Sequence, residues 1–151
     1  MNVSLFALPR HEVHGGLEQV LSRWRALEDD ESDDLCDLGE DANVVERLLE
    51  RAGAGEGALS AVSGETVLGD DGVGTVCTVL SPQEVVGVAD FIASVDVDEV
   101  MRNAPDVLSG IIRGGIPVGY LEDLHETLDA LWRLYGSAAR DGLCVAQVFE
   151  G

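Results

Sequence analysis

Lysine is absent from this sequence, and its absence leaves few positive charges. All nine basic residues are arginines, against 29 Asp and Glu, so the formal net charge is −20. Non-specific binding to nucleic acid depends on Lys and Arg replacing counterions on the phosphates. Binding to anionic lipid depends on clusters of the same residues. We therefore expect neither a nucleic acid nor a membrane surface as partner.

Cysteines and long apolar runs are also scarce. Cys36, Cys77 and Cys144 are an odd number without a C-x-x-C pair, which argues against a disulfide framework or a zinc site. Cys77 and Cys144 lie in apolar segments, where we expect inert buried thiols. No apolar run approaches the roughly 18 residues that span a bilayer. The N-terminus also lacks a signal peptide's basic and apolar regions, so we expect a cytoplasmic protein.

The sequence contains enough apolar residues to form one packed core. Hydrophobic residues make up 46% of the 151 positions and mean hydropathy is +0.12, which predicts a single domain over 1–151. The hydrophobic periodicity predicts the following elements. These are a strand at 2–8, a helix at 9–27 that Gly15-Gly16 could interrupt, a helix at 41–52 capped by Asp41, paired strands at 59–68 and 75–80, helices from 82 and 96, an irregular excursion at 105–118, a long helix at 121–141, and an apolar strand at 143–149 that is buried on both faces if it is central.

The segment from Glu28 to Asp41, here called the acidic segment, concentrates the negative charge. Nine of its 14 residues are acidic and none is basic, which predicts a solvated loop whose removal spares folding. Excess carboxylate commonly serves solubility. A local field of this density can also accelerate encounter with a basic protein. The candidate acidic patch is Asp29, Asp30, Glu31, Asp33 and Asp34.

Motifs in the second half of the chain resemble those of a known family. They are Val67-Leu68-Gly69-Asp70-Asp71, Leu80-Ser81-Pro82-Gln83-Glu84-Val85 and Tyr135 to Gly142, with a weaker match from Phe6 to Val13. Together they resemble the YfbM-like family, bacterial domain of unknown function 1877. The resemblance implies an α+β fold, a single compact domain with a small mixed or antiparallel sheet packed by amphipathic helices. It brings no established reaction and therefore no catalytic residues.

Two arrangements of histidines with carboxylates are candidates for metal binding or acid–base chemistry. His11, His14 and Glu18 are spaced i, i+3, i+7, as for a zinc or nickel site, but Gly15-Gly16 interrupts them and no fourth ligand is indicated. His125 lies one helical turn from Asp129, which fits a general base or, more simply, a solvated pair. We assign no catalytic, cofactor-binding or metal-binding residue, and no cofactor.

The sequence supports two hypotheses about function. The favoured hypothesis is a non-enzymatic acidic interaction module that binds a basic protein, as an inhibitor or immunity protein would. The alternative is a small-molecule-binding protein or enzyme with a pocket near residues 110–125, where Arg113, Tyr120 and His125 would form the rim. The oligomeric state is left open.

Overall fold

The computed structural model describes residues 1–54, 56–64 and 66–151, which form five strands and eight helices. In chain order these are β1 Asn2–Leu8, α1 Arg10–His14, α2 Leu17–Asp29, β2 Cys36–Gly39, α3 Ala42–Arg51, α4 Glu56–Val62, β3 Thr66–Asp70, β4 Thr75–Leu80, α5 Pro82–Ala93, α6 Val97–Arg102, α7 Ala104–Ser109, α8 Tyr120–Arg140 and β5 Cys144–Glu150. Within the described ranges, no helix is long and apolar enough to cross a membrane.

The strands form one antiparallel sheet in the order β2-β1-β5-β4-β3. The last strand of the chain is the central one, pairing with β1 along Leu8↔Cys144 to Asn2↔Glu150 and with β4 on its other side. Residues 144–148 are all buried. The prediction of an apolar strand buried on both faces is therefore confirmed, and the sheet is antiparallel rather than mixed.

Helices cover both faces of the sheet, so the structure has two cores. Side chains of successive strand residues point to opposite faces: Leu5 joins the larger core with α3 to α8, whereas Phe6 and Leu8 join the smaller core. Trp24 and its neighbours on α2 close the smaller core. This arrangement confirms the α+β class and the amphipathic helices that pack the sheet.

Local signals in the sequence located several boundaries correctly. Ser81 accepts a hydrogen bond from the Glu84 backbone N–H, and the Glu84 carboxylate accepts one from the Ser81 N–H, so the predicted capping box begins α5. The pairing of β3 with β4 is confirmed. The helix predicted at 9–27 is interrupted between α1 and α2 at Gly15-Gly16, where Gly16 has φ 94°.

The acidic segment is not one loop, which corrects the prediction. Glu28 and Asp29 complete α2, and Cys36–Gly39 form the edge strand β2. Cys36 and Leu38 are buried while Asp37 is exposed, the period-two alternation of a strand with one face against a core. The irregular parts are residues 30–35 and 40–41. Removing the whole segment would therefore remove a strand.

Three other predictions need correction. Residues 59–62 belong to α4 rather than to a strand, because a segment containing strong helix-forming alanines packs Ala61 and Val62 into the larger core. Glu65, inside that predicted strand, lies outside the described residues. The excursion at 105–118 begins as a helix, since α7 extends to Ser109. Asp41 occupies the N-cap position of α3 without a side-chain capping bond.

Candidate functional site, a charged cleft beside the acidic segment

The end of α2 presents the acidic patch to solvent. The Ser32 N–H donates to the Leu27 carbonyl and the Glu31 N–H to the Glu28 carbonyl, each at 3.0 Å. This pair of bonds is a Schellman motif, in which Glu31 takes the left-handed position with φ 48°. Asp29, Asp30, Glu31, Asp33 and Asp34 are all exposed. None of them belongs to an ion pair among the side chains that the structure describes.

Carboxylates from three elements repel one another at this surface. Burial raises the pKa of Glu28, and the charges of Glu150, Asp37 and Asp29 raise it further. Glu150 comes from the end of β5, more than a hundred residues along the chain from Glu28. The acidic surface is therefore larger than the acidic segment. Sequence reasoning missed Glu150, because only strand pairing places the C-terminal strand beside β1, one strand away from β2.

A cleft of about 430 Å³ opens beside this surface. Cys36, the first residue of β2, pairs with Leu5, and Ala7, two residues further along β1, already lines the cleft. The cleft thus lies where β2 stops covering the edge of β1. Its lining residues are Ala7, Arg23, Leu27, Asp33, Asp34, Cys36, Ala130, Arg133, Leu134, Ser137, Asp141 and Leu143.

The cleft has an apolar interior and a charged rim. Cys36 is buried, and Ala7, Leu27, Leu134 and Leu143 are half-buried. The exposed lining residues are all charged, and both signs are present: Arg23, Arg133, Asp33, Asp34 and Asp141. The cleft is more polar than most small-ligand sites, but its volume lies in the range that such sites usually have.

The cysteine in the cleft is not set up as a nucleophile. Burial and the Asp37 charge raise the pKa of the Cys36 thiol to about 12, and Arg133 opposes them only partly. Nucleophilic cysteines need a depressed pKa because the thiolate is the reactive form. Arg133 itself is one of the exposed residues that line the cleft. Burial likewise raises the pKa of Cys77, to about 11, and that of Cys144, in keeping with the inert thiols expected.

The structure places Arg113, Tyr120 and His125 in different surroundings. The Tyr120 hydroxyl donates to Asp41 Oδ1 at 2.7 Å, and burial and this carboxylate raise the pKa of Tyr120. His125 lies five residues further along α8 and contacts α6 instead. Arg113 is exposed in the irregular segment after α7. None of the three lines the charged cleft, and the pocket near residues 110–125 stays a prediction.

His125 is held between two carboxylates. Its Nε2 lies 3.1 Å from Asp98 Oδ1 and its Nδ1 lies 3.1 Å from Asp129 Oδ2. The hydrogen bond to Asp98 and the two negative charges raise the pKa of His125. This geometry joins α6 to α8 and fits the solvated pair. A general base would need its reactive nitrogen free for substrate.

The histidines of α1 are separated from Glu18 by the break at Gly15-Gly16, since α1 ends at His14 and α2 begins at Leu17. Across the described part of the chain, no three His, Cys, Asp or Glu side chains are grouped closely enough to hold a metal ion.

The cleft residues on α8 escaped the sequence analysis. Arg133, Ser137 and Asp141 are spaced four apart, so they follow one stripe along the helix and its C-cap. Arg23 and Leu27 show the same spacing on α2. The spacing is visible in the sequence. That the two stripes face the same opening is decided only by how α2 and α8 pack at the sheet edge.

The fold and the site define an α+β protein with an open antiparallel sheet, helices on both faces and a charged cleft at one edge. The chain belongs to the DUF1877 family, described as a domain of unknown function, whose model matches residues 1–148. The resemblance seen in the sequence motifs is thereby confirmed.

Among solved structures, the chain is similar to a protein of unknown function, YfbM from Escherichia coli. The two share 20% sequence identity over 99% of each chain, with a TM-score of 0.60. At this identity the likeness shows the fold alone. No curated protein matches the chain in the corresponding comparison.

Proposed function

We propose that this protein is a non-enzymatic acidic interaction module that binds a basic protein partner, in the manner of an inhibitor or immunity protein. The observation that supports it best is the patch of five exposed carboxylates at residues 29–34, which has no internal ion pair among the described side chains. Glu28, Asp37 and Glu150 extend this surface across three elements.

The physical basis is electrostatic. Carboxylates crowded without neutralising arginines store repulsive free energy, which a cationic partner would relieve on binding. The same field would steer encounter, and its effect would fall as salt screens it over about 10 Å at 0.1 M ionic strength. The proposal places both proteins in the bacterial cytoplasm. It is in keeping with the three free, buried cysteines, because cytosolic proteins rarely form disulfides.

The test compares two variants of equal charge. The patch variant carries Asp29→Asn, Asp30→Asn, Glu31→Gln, Asp33→Asn and Asp34→Asn. The control carries five amide substitutions at other exposed acids that have no described ion pair, at positions Glu50, Asp90, Glu99, Glu122 and Asp123. Each protein is immobilised and exposed to extract of the native cell at low and high salt.

We expect the wild-type protein and the control to retain the same basic protein at low salt, and the patch variant to lose it. High salt should release that protein. Equal losses in both variants would mean that only net charge matters, and retention by the patch variant would mean that the patch is not the binding surface. Either result contradicts the proposal.

A further inference from the structure

The charged cleft offers a binding site that the acidic-patch proposal does not use. It goes beyond that proposal: it shares Asp33 and Asp34 with the acidic patch but depends chiefly on Arg133 of α8 and on the apolar interior around Ala7, Leu134 and Leu143. Its volume of about 430 Å³ exceeds what one side chain of a partner needs and suits a small molecule.

Among the described residues, the positive and negative side chains at the rim form no ion pairs with one another. Arg23 forms its ion pair with Glu12 of α1, at 3.3 Å, and not with an acidic residue of the cleft rim. In the described part of the chain, Arg133, Asp33, Asp34 and Asp141 belong to no ion pair. No guanidinium nitrogen of Arg133 therefore lies within 4.0 Å of these carboxylates. The cleft holds one cationic and several anionic groups at separate points around an apolar interior.

These charged groups indicate which chemical groups a ligand of the cleft would carry. A guanidinium recognises a carboxylate through paired N–H donors, and carboxylates recognise an ammonium group. A simple anion would be repelled by the three aspartates, and a simple cation by Arg133. The half-buried Leu27, Leu134 and Leu143 favour a ligand that also carries an apolar side chain.

We propose that this cleft binds a small zwitterion with an apolar body, a free apolar amino acid or a dipeptide, whose carboxylate contacts Arg133 and whose ammonium contacts Asp33 and Asp34.

The experiment measures binding by calorimetry and by thermal shift with named probes. The probes are L-leucine, L-phenylalanine and the dipeptide Leu-Leu, each beside its N-acetyl form and its C-terminal amide form. We expect at least one zwitterion to bind the wild-type protein, and both blocked forms of it to bind about ten- to a hundredfold more weakly, since each loses one charged hydrogen-bonding group.

Variants locate the site. Arg133→Gln should weaken binding about ten- to a hundredfold, as should Asp33→Asn combined with Asp34→Asn. Arg140→Gln is the matched control, because Arg140 is an exposed arginine of the same helix that does not line the cleft. It should bind as the wild type does. Amide chemical shifts of Ala7, Cys36 and Ser137 should move on binding.

Three results would overturn the proposal. The first is no binding by any zwitterion at concentrations up to about 10 mM. The second is equal binding of a zwitterion and its blocked forms, and the third is wild-type binding by Arg133→Gln. The Arg133 variant also separates this proposal from the acidic-patch proposal, because removing a positive charge should not weaken capture of a basic protein.

Discussion

Gln147 is the polar residue at the centre of the sheet, and its hydrogen bonds attach α4 to β5. It is fully buried, its Nε2 donates to the Ser60 carbonyl at 2.9 Å, and its Oε1 accepts from the Thr78 hydroxyl at 2.6 Å. The buried Tyr135 hydroxyl donates to the next carbonyl, that of Ala61, at 2.6 Å. Gln147, the one glutamine of the apolar strand β5, therefore has a structural role: it joins the sheet to α4, which covers it.

Replacing Gln147 with leucine should destabilise the protein by about 1–3 kcal/mol, because the half-buried Ser60 carbonyl and the buried Thr78 hydroxyl each lose a partner. Urea unfolding followed by circular dichroism measures the difference. Gln83→Leu is the control, since Gln83 is exposed on α5, and it should change stability by less than about 0.5 kcal/mol. Equal effects from the two substitutions would contradict this role for the buried amide.

His125 gives a pH dependence whose direction follows from its neighbours. Asp98 and Asp129 raise its pKa above the ordinary 6.5. A raised pKa in the folded state stabilises the protein fully below the ordinary pKa, and this contribution disappears as pH rises through the folded-state value. Because the ring is partly exposed, we expect a modest effect.

The NMR titration of the His125 ring should give a pKa above 6.5, and Asp98→Asn should lower it. His125→Gln should reduce stability relative to the wild-type protein at about pH 5.5 but much less at about pH 8.5. A pKa at or below the ordinary value would mean that the two carboxylates do not hold the ring in solution.

At the scale of single elements, the acidic segment has two separable roles. Residues 29–34 carry exposed charge, whereas Cys36 and Leu38 of β2 are buried against β1 and α8. Charge and fold can therefore be tested independently within one short stretch of chain.

The five amide substitutions at residues 29–34 should leave the free energy of unfolding unchanged or slightly higher, because they relieve repulsion. Deleting residues 28–41 should cost at least about 3 kcal/mol, since the buried Leu38 and its strand are lost. Urea unfolding of the two variants measures both effects. A deletion variant as stable as the wild-type protein would show that β2 is dispensable.

The start of α5 is a second element whose stability can be predicted. Ser81→Ala removes the side-chain acceptor for the Glu84 N–H and should cost about 1 kcal/mol. Ser22→Ala is the control, because Ser22 is exposed within α2 and alanine favours a helix interior. Thermal unfolding of both variants measures the difference, and a stable Ser81 variant would show that the capping box contributes little.

For the whole molecule, the charge of −20 should make stability depend on salt. Of the arginines that the structure describes, only Arg23 and Arg51 form ion pairs with carboxylates, so most of the negative charge is uncompensated at short range. Raising NaCl from about 0.01 to 0.5 M shortens the screening length from about 30 Å to less than 10 Å. The melting temperature should therefore rise by several degrees.

The patch variant should show a smaller salt-dependent rise in melting temperature than the wild-type protein, because its crowded carboxylates are neutral. Scanning calorimetry across the salt series measures both proteins. A melting temperature that is constant or falls with NaCl would mean that repulsion between carboxylates does not limit stability.

The sequence by itself determined the features that depend on neighbours along the chain. Ser81-Pro82-Gln83-Glu84 specifies a helix start because the bonds that cap it join residues three apart. Gly15-Gly16 marks a helix break, and the α+β fold was implied by the family resemblance that the local motifs carry. The family motifs lie in these same locally determined turns, caps and core positions.

Tertiary structure decided everything that depends on distant residues. Cys36–Gly39 becomes a strand inside an acidic stretch because β1 offers it an edge, and residues 59–62 become helical because the larger core receives Ala61 and Val62. Glu150 joins the acidic surface, and Arg23 and Arg133 reach one cleft, only through the packing of α2, β5 and α8. Residue spacing specifies which side chains share one face of an element, but the free energy of burying those faces against one another decides which faces meet.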